Sequence, residues 1–102
     1  MRALSVLILL LAGCTASANL SSAGSQVREI QRDWATSCTF LEVIEVQGGL
    51  TYTSLAAAKR DMLNKLRNKT AELKGNSIVI TSIVVDRGFS LPFAQADAYK
   101  CQ

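Results

Sequence analysis

Three cysteines are the residues of this sequence best equipped for chemistry: Cys14, Cys38 and Cys101. A thiol can be acylated, oxidised to a disulfide or activated as a nucleophile, and its surroundings decide which. The chain contains no histidine. That absence removes Ser-His and Cys-His nucleophile pairs, the usual zinc ligand sets and the simplest pH switch. There is no C-x-x-C pair and no glycine-rich phosphate loop. Glu42 and Glu45 come nearest to paired carboxylates, but at this spacing on a strand they project to opposite faces and cannot share a substrate. The expectation is a non-enzymatic protein with no catalytic residue, no cofactor and no metal.

Cys14 takes its meaning from what precedes it. Met1 and Arg2 give a short positive start, and residues 3–11 form an apolar run interrupted only by Ser5. Crossing a hydrocarbon core about 30 Å thick takes about 20 helical residues, so this run fits the apolar region of a secretory signal instead. Leu11-Ala12-Gly13-Cys14 then resembles a bacterial lipobox. In that motif the cysteine thiol receives a diacylglycerol, and the lipoprotein signal peptidase cuts just before it. The resemblance implies a signal peptide over residues 1–13, a lipidated Cys14 and attachment to a membrane through that lipid. Two other readings stay open: secretion with cleavage after the A-x-A pattern Ala16-Ser17-Ala18, and a core helix. Thr15 stands where an aspartate would favour retention in the inner membrane, which points to the outer membrane with the domain facing the periplasm. Several acyl chains on one residue hold a protein stably, whereas one chain binds only marginally.

The 102 residues suffice for one domain. A core this small gains from a covalent staple. The formal charge of +3 is weak, and with an export signal it argues against a nucleic-acid partner. Residues 14–26 read as the lipidated cysteine and a flexible tether, small and polar throughout, with a reach on the order of 20 Å. The domain is expected over 27–102. Residues 27–33 alternate weakly and carry Arg28, Glu29 and Arg32, as suits an edge strand. Residues 39–47 form a second strand ended by Gly48-Gly49, with room for a bulge. Helical periodicity takes over from 53 to 74, capped by Thr53 or Ser54, with Gly75 in the left-handed position after its end. Residues 77–85 are apolar on both faces, with Ile78, Ile80 and Val84 on one and Val79, Ile83 and Val85 on the other, as in a central strand. Residues 95–101 supply a last strand. The fold class is α+β: a β-β-α-β-β domain with one helix on a four-stranded mixed sheet.

That topology bears on Cys38 and Cys101. If strand two leads through the helix to a parallel strand three, a hairpin return makes strand four antiparallel to both. The start of strand two and the end of strand four then lie together, and in an exported protein two spare cysteines usually oxidise. A plain staple is expected, against a redox sensor or catalytic thiol. Trp34, just before Cys38, is expected either to pack by the disulfide or to lie exposed. Phe89, Leu91 and Phe93 form a possible partner-binding loop, against the alternative that they fold over the sheet end. The helix carries Lys59, Arg60, Lys65, Arg67, Lys69 and Lys74 against Asp61 and Glu72. This reads as a solvated face, with contact to phosphate-bearing lipid heads as the competing reading.

Leu66-Arg67-Asn68, Ala71 and Gly75-Asn76, followed by an apolar strand, resemble the helix-to-strand signature of an uncharacterised family of small proteobacterial lipoproteins, a domain of unknown function. Cys38-x-x-Leu41-x-Val43 and the terminal Tyr99-Lys100-Cys101 fit as well. Where the family commonly has a glycine after that leucine, this chain has Glu42. More distantly, the lipid anchor and stapled α+β domain are similar to the Rcs-phosphorelay sensor lipoproteins of the outer membrane, without their long proline-rich stalk. The expected function is a membrane-anchored envelope lipoprotein that binds or supports an envelope protein or lipid, with an envelope-stress sensor as the alternative. Neither the partner nor the oligomeric state follows from the residues.

Overall fold

The computed structural model describes residues 19–49, 52–85 and 91–102. The expected signal peptide and Cys14 lie outside these residues, as does Phe89. A 3-10 turn (Gly24–Gln26) leads into β1 (Arg28–Glu29), a 3-10 segment (Arg32–Ser37), β2 (Thr39–Gln47), α1 (Leu55–Glu72), β3 (Ser77–Val84) and β4 (Phe93–Lys100). The four strands form one sheet in the order β1-β3-β4-β2. β1 runs parallel to β3, and β4 is antiparallel to both β3 and β2. The architecture is therefore the expected one, a helix on a four-stranded mixed sheet.

α1 forms where apolar residues recur at helical spacing. The Ser54 hydroxyl accepts from the Ala57 N–H at 3.1 Å and caps its start. Its buried face presents Ala58, Met62, Leu66 and Thr70. Opposite lie Ala94, Ala96 and Ala98 of β4, all fully buried. This row of methyl groups lets the helix sit close to the sheet, and Met62, Leu66, Ile44 and Ile78 fill the space around it.

The helix end differs from expectation in one residue. Lys74, not Gly75, has positive φ, at 67°. Gly75 N–H reaches the Thr70 carbonyl at 2.9 Å and Lys74 N–H reaches the Ala71 carbonyl at 3.0 Å. This is the paired bonding of a Schellman motif, so the left-handed position falls one residue earlier. Gly75 is needed for space instead: a Cβ there would lie 2.9 Å from the Tyr99 carbonyl oxygen and 2.8 Å from Thr70 Cγ2.

Strand readings need three corrections. The expected strand over 27–33 shrinks to two residues, because local bonds such as Thr36 Oγ1 to the Asp33 carbonyl at 3.0 Å favour the 3-10 segment. In β3 the pairing with β4 slips between Ile80 and Ser82. The slip changes the phase, so Ile78, Ile80, Ile83 and Val85 all pack towards the core, and the expected division of faces fails after Ile80. β4 begins at Phe93, two residues before the expected 95. The room for a bulge in β2 is used: the register shifts between Phe40 and Glu42.

The ordered body also starts earlier than the expected Val27. Asn68 of α1 donates from Nδ2 to the Asn19 carbonyl at 2.8 Å and accepts from the Ser21 N–H at 2.8 Å. Gly24 is buried, and a Cβ there would collide with Asn68 Oδ1. Residues 19–26 thus lie along α1 as a strap, although their composition reads as tether.

Candidate functional site

Asn76 organises the end of the sheet where the cysteines meet. Its backbone N–H donates to the Tyr99 carbonyl at 3.0 Å, and its carbonyl accepts from the Arg28 N–H at 3.0 Å. Its side chain mimics one more ladder residue: Nδ2 donates to the Cys101 carbonyl at 2.6 Å and Oδ1 accepts from the Cys101 N–H at 2.7 Å. Cys101 is thereby fixed beside the start of β2, and it forms a disulfide with Cys38 at a Cα–Cα distance of 4.4 Å. Thr39 pairs with Lys100 immediately inside the bridge. The bond between Cys38 and Cys101 lies where the strand directions placed it.

The sheet face opposite α1 is buried at Val79 and open towards β2. Phe40 pairs with Tyr99, Val43 with Asp97 and Glu45 with Gln95, and all of these project away from the helix. The Phe40 and Tyr99 rings meet edge to face, 5.7 Å between centroids. The 3-10 segment crosses this face from one sheet edge to the other, and Arg32 lies 3.8 Å from Asp97. Trp34 on that segment is 70% exposed, Phe40 52% and Val43 48%. Of the two readings of Trp34, the exposed one holds. Phe40 and Val43 are thus large apolar side chains exposed on one face of β2, and Trp34 is exposed on the segment that leads into that strand.

Of the loop residues Phe89, Leu91 and Phe93, Leu91 is half-buried and Phe93 is the first residue of β4. Phe93 lines a groove of about 850 Å3 between α1 and β2, together with Val46, Lys65 and Lys69. β2 is an edge strand. Its outward carbonyls are covered: Lys65 Nζ donates to Gln47 at 2.9 Å and Lys69 Nζ to Glu45 at 3.4 Å. Deeper in, Lys65 pairs with buried Asp61 at 3.1 Å, and the Tyr52 hydroxyl donates to Asp61 while accepting from the Gly49 N–H. Burial, then the bond to Asp61, raises the Tyr52 pKa above its ordinary 10.0. The network ties the end of β2 to α1.

A family profile described as "Domain of unknown function (DUF4156)" matches residues 18–101. The chain belongs to the DUF4156 family. No curated protein and no solved structure matches it significantly, so the distant likeness to Rcs sensor lipoproteins gains no support. Within DUF4156 the signature residues of this chain have structural duties. Leu66 is fully buried, Asn68 holds the strap, Gly75 permits the helix end to touch β4, and Asn76 clamps Cys101. The stretch matched by the family begins at residue 18, just ahead of the strap, and ends at Cys101. Sequence reasoning left the exposure of Trp34 open and did not single out Phe40 and Val43. For Val43 the signal lay in the alternation of β2, where it falls out of phase with Ile44 and Val46; Phe40 is in phase with them by count and reaches the face away from the helix only through the register shift between Phe40 and Glu42.

Proposed function

We propose that this DUF4156 protein is an envelope lipoprotein, anchored through Cys14, which binds an envelope protein through the open face of its sheet. The carrying observation is the exposed group of Trp34, Phe40 and Val43 on a disulfide-closed sheet. Two aromatic rings and a β-branched residue offer a large apolar contact at little entropic cost, and Arg32, Asp97 and Glu45 form a polar rim around them. The lipobox-like Leu11-Ala12-Gly13-Cys14 supports the anchor. Binding, not catalysis, is the activity this surface suits.

Photo-crosslinkable residues placed singly at Trp34 and Val43, in intact cells, test the surface. Both positions should trap the same discrete partner, Phe40→Ser should abolish the adduct, and a crosslinker at exposed Glu72 should not trap it. Equal adducts from Glu72 and Val43 would remove the sheet face as the docking surface. For the anchor, Cys14→Ser should release the protein from the membrane fraction; an unchanged membrane fraction would refute it.

A further inference from the structure

The strap fixes where the tether meets the body, and this keeps one end of α1 near any anchor on Cys14. Asn19 and Ser21 are held on Asn68 of α1. From Cys14 to Asn19 the chain has five peptide steps, which span at most about 18 Å at full extension. With Cys14 in the lipid, the point where the strap meets Asn68 stays within that distance of the headgroups.

Charge is distributed in the same sense. α1 and its C-terminal cap carry Lys59, Arg60, Lys65, Arg67, Lys69 and Lys74 against Asp61 and Glu72, and Lys65 already neutralises Asp61. Lys59, Arg60 and Lys74 are exposed, while Lys69 is turned to the β2 edge by its bond to the Glu45 carbonyl. Between β1 and the end of β2 the balance reverses, with Glu29, Asp33, Glu42 and Glu45 against Arg28 and Arg32. Basic side chains near a bilayer are attracted to anionic lipid, with a range of about one Debye length, roughly 8 Å at physiological ionic strength.

We propose that the exposed basic face of α1 docks on anionic phospholipid headgroups, turning Trp34, Phe40 and Val43 towards the aqueous compartment. The proposal rests on the Cys14 anchor. The strap supplies proximity, and the helix charges supply the preferred side. A body held so closely by one end of the chain would otherwise sample many tilts; the charge asymmetry selects the one that presents the sheet face.

The test uses protein extracted from membranes and reconstituted in vesicles of phosphatidylethanolamine and phosphatidylglycerol, or of phosphatidylcholine alone. Intact mass is read first. With the acyl adduct present, acetylation of Lys59 and Lys74 should be several-fold slower on the anionic vesicles than on the neutral ones, and 1 M salt should erase the difference. Trp34 is the single tryptophan, and it should stay as accessible to iodide on vesicles as in detergent. Lys59→Gln with Arg60→Gln, both at exposed positions, should reduce the protection of Lys74. Equal labelling on both vesicles, undiminished protection in the double variant, or quenching of Trp34 by brominated lipid would each overturn the docking while leaving the anchor intact. An intact mass without the adduct would overturn both.

Discussion

At the scale of single residues, most of the chemistry in this DUF4156 domain serves geometry. Gly75 gives the clearest case. A side chain there meets the Tyr99 carbonyl and Thr70, and both are fixed in place, so Gly75→Ala should destabilise the domain by about 2 kcal/mol or more through overpacking. Urea denaturation measures this directly. Lys74→Gly, one residue earlier, removes a left-handed backbone strain of about 1–2 kcal/mol and returns part of that as unfolded-chain entropy, so its effect should be small and stabilising. Opposite signs at adjacent positions distinguish space from φ as the reason for the glycine. Tyr52 offers a pH-dependent case. Its folded pKa is raised, so the folded state holds the phenolic proton more tightly than the unfolded chain. The stabilisation is present in full below about pH 10 and is lost as pH rises through the higher folded value. Tyr52→Phe should therefore cost about 1 kcal/mol at pH 8, in line with one hydrogen bond. That deficit should disappear in denaturation curves recorded well above pH 10. A constant deficit across that range would show that the Asp61 bond does not hold the proton.

At the scale of elements, the helix and the strand directions were legible in the sequence, and the strand order, the ends and the phases were not. α1 announced itself by its apolar period, and β2 by its run of Phe, Leu, Val and Ile between Cys38 and Gly48. The start of β4 was hidden because Ala94, Ala96 and Ala98 are poor strand formers by themselves. They occur there because the helix must approach closely, which is a tertiary fact. The strap was hidden for a similar reason: TASANLSSAGSQ carries no periodicity, and only the Asn68 side chain makes its second half part of the body. The slip near Thr81 reassigns Ile83 to the core face and leaves no mark in the residue pattern. Of the exposed apolar residues, Trp34 was noted but its exposure was not decided, since nothing local shows which face the 3-10 segment will cover. The free edge of β2 carries its own prediction. Lys65 and Lys69 cover the Gln47 and Glu45 carbonyls, as lysines often guard exposed edges against pairing with other chains. Lys65→Ala with Lys69→Ala should leave a folded monomer at low concentration and promote association as concentration rises, visible in sedimentation velocity. A double variant that stays monomeric throughout would show that the lysines do not guard the edge.

At the scale of the whole molecule, one bond closes most of the chain on itself. The Cys38–Cys101 bridge spans a sequence separation of 63 residues, enclosing β2, α1, β3 and β4. Closing a loop of that length removes unfolded-state entropy worth about 4 kcal/mol. Small domains as a class are stable by only about 5–15 kcal/mol, so the bridge supplies a large share of the margin here. Cys38→Ser should lower the melting temperature by roughly 15–30 °C, taking about 4–8 °C per kcal/mol for a domain of this size. Reductant should lower the melting temperature of the native protein to a similar extent and leave that of the variant unchanged. The folded end of the sheet should nevertheless survive in the variant at low temperature. Asn76 holds Cys101 through two hydrogen bonds that do not involve the sulfur, and the Thr39–Lys100 pairing continues the ladder. Amide exchange at Lys100 and Cys101 should accordingly speed up only in step with the loss of global stability in Cys38→Ser. In Asn76→Ala with the bridge intact, exchange at Cys101 should rise locally ahead of the global opening. If the two variants showed the same exchange pattern, the bridge rather than Asn76 would be what orders the end of the chain.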